Sequence, residues 1–202
     1  PAILEGSGLR HPVIGRYLQV HPVGGVVARM PGPVEMWRGP LQGARSLEFG
    51  DGEPGRRGYV IETAPGHPGL IALALPWEGA ADHARMMGDV RYLAPMLAVT
   101  RDGGSGRATT ARAGRVRLDY RLDATGVATL RHASMHIARL ARAAGAVEIV
   151  VPGATPARFG GPGGAGDVAT FERWVAGLSS FDFRPNQGSV FSAHQMGTAR
   201  MG

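Results

Sequence analysis

Residues 119–153 read DYRLDATGVATLRHASMHIARLARAAGAVEIVVPG, and the fold is read outward from this stretch. Asp123 is placed to cap a helix, because a short oxygen-bearing side chain there accepts from the first free backbone amides. Val127, Leu130, Ile137, Leu140 and Ala144 then keep helical spacing, and Gly145 can take the left-handed conformation with which helices commonly end. The next six residues, AVEIVV, include four β-branched ones and predict a strand. Just upstream, RVRLDYRL at 115–122 alternates charged residues with Val116, Leu118, Tyr120 and Leu122, which predicts a strand with one buried and one wet face.

The same reading extends to both ends. GGVVARM at 24–30, GYVIETA at 58–64 and APMLAVTRD at 94–102 predict strands, the last closed by the turn DGGSG. Helix formers predominate from Ala80 to Tyr92, and a short helix is predicted near Val168 to Leu178 after a Gly/Pro loop. Residues 1–20 read as an apolar helix broken at Gly6 and Gly8, a loop and a short extended piece. The run Leu70 to Leu75 fits a buried strand or one or two helical turns, since periodicity does not separate them over so short a length. Strands outnumber helices, and several are joined by connections too short for parallel crossovers. The expected fold class is therefore α+β, a mainly antiparallel sheet with flanking helices.

Composition narrows the function classes. The chain has 202 residues, 44% of them hydrophobic, which suffices for a real core. Its 32 glycines and 15 prolines predict short elements joined by many turns. The net charge of +6 points at first to an anionic partner. All 22 basic residues are Arg, however, scattered from Arg10 to Arg200, whereas nucleic-acid binding needs a clustered footprint; no nucleic-acid partner is expected. Cysteine is absent, which removes disulfides and thiolate chemistry and fits a reducing, cytoplasmic setting. The longest apolar run, GLIALALPW at 69–77, falls far short of the roughly 18 residues that cross a bilayer.

Several motifs have bland readings. GPGGAG at 161–166 satisfies G-x-G-x-x-G, but PGATPARFG separates it from the preceding strand and Pro162 removes an amide, so a flexible surface loop is expected. His132 and His136 are spaced to grip a metal from one helix face, yet Arg131, Arg139 and Arg142 make the setting cationic; a solvated face and no metal are expected. His11-Pro12 and His21-Pro22 are expected to be structural. Trp37, Trp77 and Trp174 are expected to anchor a core or a domain contact.

The final residues, SAHQMGTARMG at 192–202, differ in kind: one His followed by glycines at 197 and 202 that let backbone turn tightly or approach a flat group. His194, Gly197, Thr198, Arg200, Met201 and Gly202 match the signature His-Pro-x-Gly-Thr-x-Arg-Met-Gly, which resembles that of the glucose–methanol–choline (GMC) family of flavoproteins. Gln195 stands where the signature has Pro, a departure associated with the long-chain alcohol oxidase branch, and MWRGPLQ at 36–42 resembles that branch too. Weaker similarities cover SGLRHPVIGRYLQVHP, GYVIETAPGHPG and the stretch 119–153, so the resemblance spans nearly the whole chain.

The resemblance implies an FAD-dependent enzyme that oxidises an alcohol, with His194 as catalytic base and Gly197, Thr198 and Met201 beside the cofactor. It implies that 1–20 leaves an FAD-binding domain, that 21–192 forms the substrate-binding domain, and that 193–202 begins the return to the flavin. On that reading the partners are a small-molecule alcohol and an FAD-binding domain missing from this stretch, and the chain is a fragment inactive alone. The rival expectation is a non-catalytic α+β binding module that has kept the substrate domain.

Overall fold

The computed structural model describes residues 1–200 apart from 41, 65, 112, 113, 162, 163 and 165. Met201 and Gly202 of the signature, and Pro162 of the glycine-rich loop, therefore lie outside the described residues. The chain order is α1 (Ala2–Gly6), β1 (Arg16–Leu18), β2 (Val23–Arg29), β3 (Arg45–Ser46), β4 (Tyr59–Thr63), α2 (Pro68–Ala74), α3 (Ala80–Gly88), β5 (Leu93–Thr100), β6 (Gly106–Thr110), β7 (Val116–Asp119), α4 (Ala124–Ala143), β8 (Glu148–Val151), β9 (Ala157–Gly160) and α5 (Val168–Gly177).

A six-stranded sheet in the order β3-β4-β5-β2-β8-β9 and a three-stranded sheet in the order β1-β6-β7 make the α+β architecture, with every described strand pair antiparallel. The long helix α4 begins where expected: the Asp123 carboxylate accepts from the Gly126 amide at 2.7 Å. It ends at Gly145, whose φ of 90° only glycine adopts freely. One sheet face presents Val26, Ala28, Ala98, Ile149 and Val151 to Ala133, Ile137, Ala138 and Ala141 of α4. The alternate residues Val27, Leu93 and Val150 pack on Ile71, Leu75 and Met86 from the α2–α3 side. Strands covered on both faces need apolar residues at successive positions, which is why GGVVAR and EIVV lack alternation. The run at 70–75 resolves as helix, with Ile71 and Leu75 buried.

Three strands are absent from the sequence reading. β3 and β9 are two and four residues long, and β6 reads GRATT, so none carries an apolar pattern. The expected half-buried strand at 115–122 is corrected: β7 is exposed at all four positions, with Val116 52% and Leu118 60% accessible. Its alternation is real, but no element among the described residues covers its apolar face. Trp174 packs against the core as expected, whereas Trp37 and Trp77 are 42% and 68% exposed. No helix among the described residues is long and apolar enough to cross a membrane.

The two ends of the chain lie together. Gly15 donates to the Thr198 carbonyl at 2.9 Å, Gln19 and Met196 exchange backbone hydrogen bonds of 3.0 and 2.9 Å, and Val23 and Phe191 exchange two of 2.9 Å. The segment after α5 thus runs antiparallel to the segment that leads from β1 into β2.

Candidate active site

This pairing positions His194. Its backbone is clamped on one side by Val23 and Phe191 and on the other by Gln19 and Met196, while its imidazole is exposed. Gln195 reinforces the turn, donating from Nε2 to the Ser192 carbonyl at 3.0 Å and to Ser192 Oγ at 3.1 Å. Ser192 Oγ in turn donates to the Val20 carbonyl. Further on, the Arg200 guanidinium lies 3.8 Å from the centre of the Tyr17 ring, a cation–π contact that holds the signature against β1.

Gly197 has a structural reason to be glycine. It sits at φ 89°, and a Cβ there would stand 2.0 Å from the Tyr17 carbonyl oxygen. Thr198 is half-buried and contributes its carbonyl to Gly15.

The structure brings a second imidazole to this place, one that sequence reasoning had assigned to a structural role. The His21 and His194 rings meet edge-on, with centroids 6.0 Å apart and planes at 84°. His21 Nδ1 is 3.2 Å from the Thr100 carbonyl oxygen. Its backbone φ is 44°, in the left-handed region that non-glycine residues rarely enter. The residue also precedes Pro22, which by itself favours extended backbone. Such a conformation costs on the order of 1–3 kcal/mol and persists only where the surroundings impose it. The only sequence sign was the dipeptide His-Pro, which names a turn and not a neighbour.

Two hollows flank the pair. One, of about 520 Å³, is lined by His21, Tyr59, Val60, Val99 and Thr100. Val60 and Val99 are cross-strand partners on the face of the sheet opposite α4. The other, of about 780 Å³, lies between β7, the start of α4 and residues 183–192, with Val127, Phe183, Val190 and Phe191 as apolar walls and Ser192 and Gln195 at its edge. The His194 turn therefore lies beside both, with aliphatic surface within each.

His132 and His136 are not on a solvated face, and that expectation is corrected. His132 Nδ1 is 3.0 Å from the Tyr59 hydroxyl, and the Nε2 atoms of the two imidazoles are 3.1 Å apart. Phe49 packs on His136 with ring centroids 4.4 Å apart. Burial lowers the pKa of both, helped by the His136 charge for His132 and by Arg139 for His136. Burial likewise pushes up the Tyr59 phenol. Among the described residues no group of three or more His, Asp or Glu is arranged to hold a metal ion.

For a flavin, the fit is to its reacting ring. An exposed imidazole on paired backbone, beside hollows whose walls mix apolar and charged side chains, leaves room for a flat ring. A pyrophosphate cradle is not seen among the described residues. In the glycine-rich loop, Gly161 donates to the Val147 carbonyl and Arg142 Nη2 to the Gly166 carbonyl, so those groups are used internally.

No family model matches the chain. It is similar to an uncharacterised GMC-type oxidoreductase of Mycobacterium tuberculosis, 34% identical over 161 residues, which are 78% of this chain and 25% of that protein. It is also similar to the Arabidopsis thaliana long-chain-alcohol oxidase FAO4A, 30% identical over 219 aligned positions that take in 100% of this chain and 28% of that protein. A second Arabidopsis long-chain-alcohol oxidase, FAO3, is 26% identical over the whole chain. The chain spans about a quarter of the length of the curated relatives it matches.

Proposed function

Because this chain belongs to the GMC-type oxidoreductases, we propose that it is the substrate-binding part of a flavin-dependent alcohol oxidoreductase in which His194 is the base. Residues 1–20 leave the FAD-binding domain, 21–192 bind substrate and 193–202 return to the flavin. The observation that carries the reading is the position of His194: exposed, on backbone fixed by pairing beside β1 and with β2, next to two hollows that each have an apolar wall.

When bound, FAD supplies the hydride acceptor, its N5. The work of this chain is to orient the alcohol and take its proton. A neutral imidazole does so near neutral pH, and loss of the hydroxyl proton makes the carbinol carbon a far better hydride donor. Val60, Leu97 and Val99, on the sheet face away from α4, offer no hydrogen-bond partner to a polar substrate and favour an apolar alkyl chain. The Arabidopsis relatives, as long-chain-alcohol oxidases, point to the same class. On this reading His194, Gly197 and Thr198 would border the flavin ring; Met201, which the signature groups with them, lies outside the described residues. The nucleotide part of FAD is held by residues other than those described, so the 202-residue chain alone is inactive.

The test is His194→Ala in the intact polypeptide that carries these residues, with flavin reduction by a long-chain primary alcohol followed by stopped flow. Removal of a general base slows reduction about 10²–10⁴-fold. Reduction at the wild-type rate would refute the assignment.

A further inference from the structure

The contact between His21 and Thr100 fixes more than a side-chain position. A backbone carbonyl only accepts, so at 3.2 Å the His21 Nδ1 must carry the proton and donate it to the Thr100 oxygen. Neutral His21 is thereby locked in one tautomer, with a lone pair on Nε2. That nitrogen makes no hydrogen bond among the described residues, although Asp51, Tyr59 and Arg101 line the same hollow. The backbone holds it there too, since Val23, two residues on, pairs with Phe191, three residues before His194.

We propose that His21 is the positioning partner of His194: its Nε2 accepts the hydrogen bond of one His194 ring N–H and so leaves the lone pair of the other His194 nitrogen facing the alcohol. This rests on the reading of His194 as base. Two imidazoles joined by an N–H···N bond of about 2.9 Å have centroids roughly 5 Å apart, about 1 Å closer than the 6.0 Å seen here. His194 is exposed and has no hydrogen bond among the described residues, so a small side-chain rotation closes the gap. When the alcohol O–H bond breaks, its proton goes to the free His194 nitrogen, and the imidazolium keeps its hydrogen bond to His21. A fixed acceptor on one nitrogen decides the tautomer of the other and stabilises the charged ring.

The consequences differ from those of a structural role. In the intact polypeptide, His21→Ala should slow flavin reduction at least tenfold and move the acid limb of its pH profile to lower pH, because His194 loses the acceptor that favours its protonated form. His21→Gln, whose amide oxygen accepts but holds no proton, should restore most of the rate. If the acid limb in His21→Ala stays at its wild-type position, or if Gln is no better than Ala, the proposal is overturned. A readout independent of turnover is the ¹⁵N spectrum of the wild-type histidines. His21 should show the Nδ1–H tautomer at pH 8, and an Nε2–H tautomer would overturn the proposal without any variant that has to fold. The result for His194→Ala separates the two ideas: if that variant reduces flavin normally the base assignment fails, whatever His21 does.

Discussion

Asp123 accepts from both terminal nitrogens of Arg57, at 2.7 and 2.6 Å, while the same carboxylate caps α4. The pair ties residue 57, in the loop between β3 and β4, to the helix that covers the sheet. The Arg57 amide adds a bond of 2.9 Å to Thr129 Oγ1 on α4. The Arg57 guanidinium holds the Asp123 carboxyl down at about 2, so folding is favoured by its ionised form. That contribution is complete above about pH 4 and is lost as the pH falls toward 2. Solvent screening at this exposed pair keeps the ionic part small. Asp123→Ala should cost about 1 kcal/mol, chiefly through the lost cap. Asp123→Asn keeps a capping oxygen and should recover part of it. Urea denaturation at pH 7 of the intact polypeptide measures both; equal stability of Ala and wild type would contradict the capping role.

The histidine pair predicts a second pH dependence at a different range. His132 and His136 both have lowered pKa values because burial disfavours their charged forms, with Arg56, Arg139 and Glu53 as the charged groups around them. The unfolded chain therefore binds protons first as the pH falls below about 6.5. Stability from this pair is fully present above that value and declines as the pH drops toward the depressed folded values. His136→Gln removes one titrating ring and should flatten the fall in melting temperature between pH 7 and 5. A slope unchanged from wild type would show that the pair is not responsible.

Sequence pattern reached as far as the elements that carry their own signals. Asp123, the 3.6-residue spacing of Leu130 and Ile137, and Gly145 are local, so α4 was legible to within a residue at its start. β6 was not, because GRATT is a strand only through its neighbours β1 and β7. The burial of Leu118 was misjudged for a related reason: alternation shows which side is apolar, not whether anything covers it. His194 was marked by its signature, whereas His21 became visible only once β2 and residues 191–196 were paired in space. Sequence separation of 173 positions hides such a contact from any window-based reading.

Glu148 predicts a stability effect far from the site. Its carboxylate is 7% exposed and accepts from Arg85 at 3.1 Å through both oxygens and from Arg158 at 3.2 Å. Arg158 extends the network to Asp82 at 2.6 Å. Glu148→Ala would remove the most buried carboxylate of this network and leave Arg85 and Arg158 to share Asp82, at 3.0 and 2.6 Å. Leaving a buried charge unpaired costs about 3–5 kcal/mol; with Asp82 still paired to both arginines and Arg85 37% exposed, the expected loss is about 1–2 kcal/mol. A loss below about 1 kcal/mol in chemical denaturation would mean that solvent or Asp82 replaces Glu148.

Gly197 joins stability to chemistry. Its φ is 89°, and a methyl group added at its Cα would stand 2.0 Å from the Tyr17 carbonyl oxygen, so Gly197→Ala must push the signature off β1. The bridge between Gln19 and Met196 is adjacent and should break with it. Because the clash is with backbone, neither partner has a side-chain rotation that relieves it. The displaced segment carries His194, so flavin reduction should fall in Gly197→Ala even where the sheet and α4 remain folded. The expected pattern is near-normal circular dichroism, a melting temperature lowered by several degrees as for about 1–2 kcal/mol, and a drop in reduction rate approaching that of His194→Ala. Wild-type turnover in Gly197→Ala would show that the pairing of the signature with β1 does not position the base.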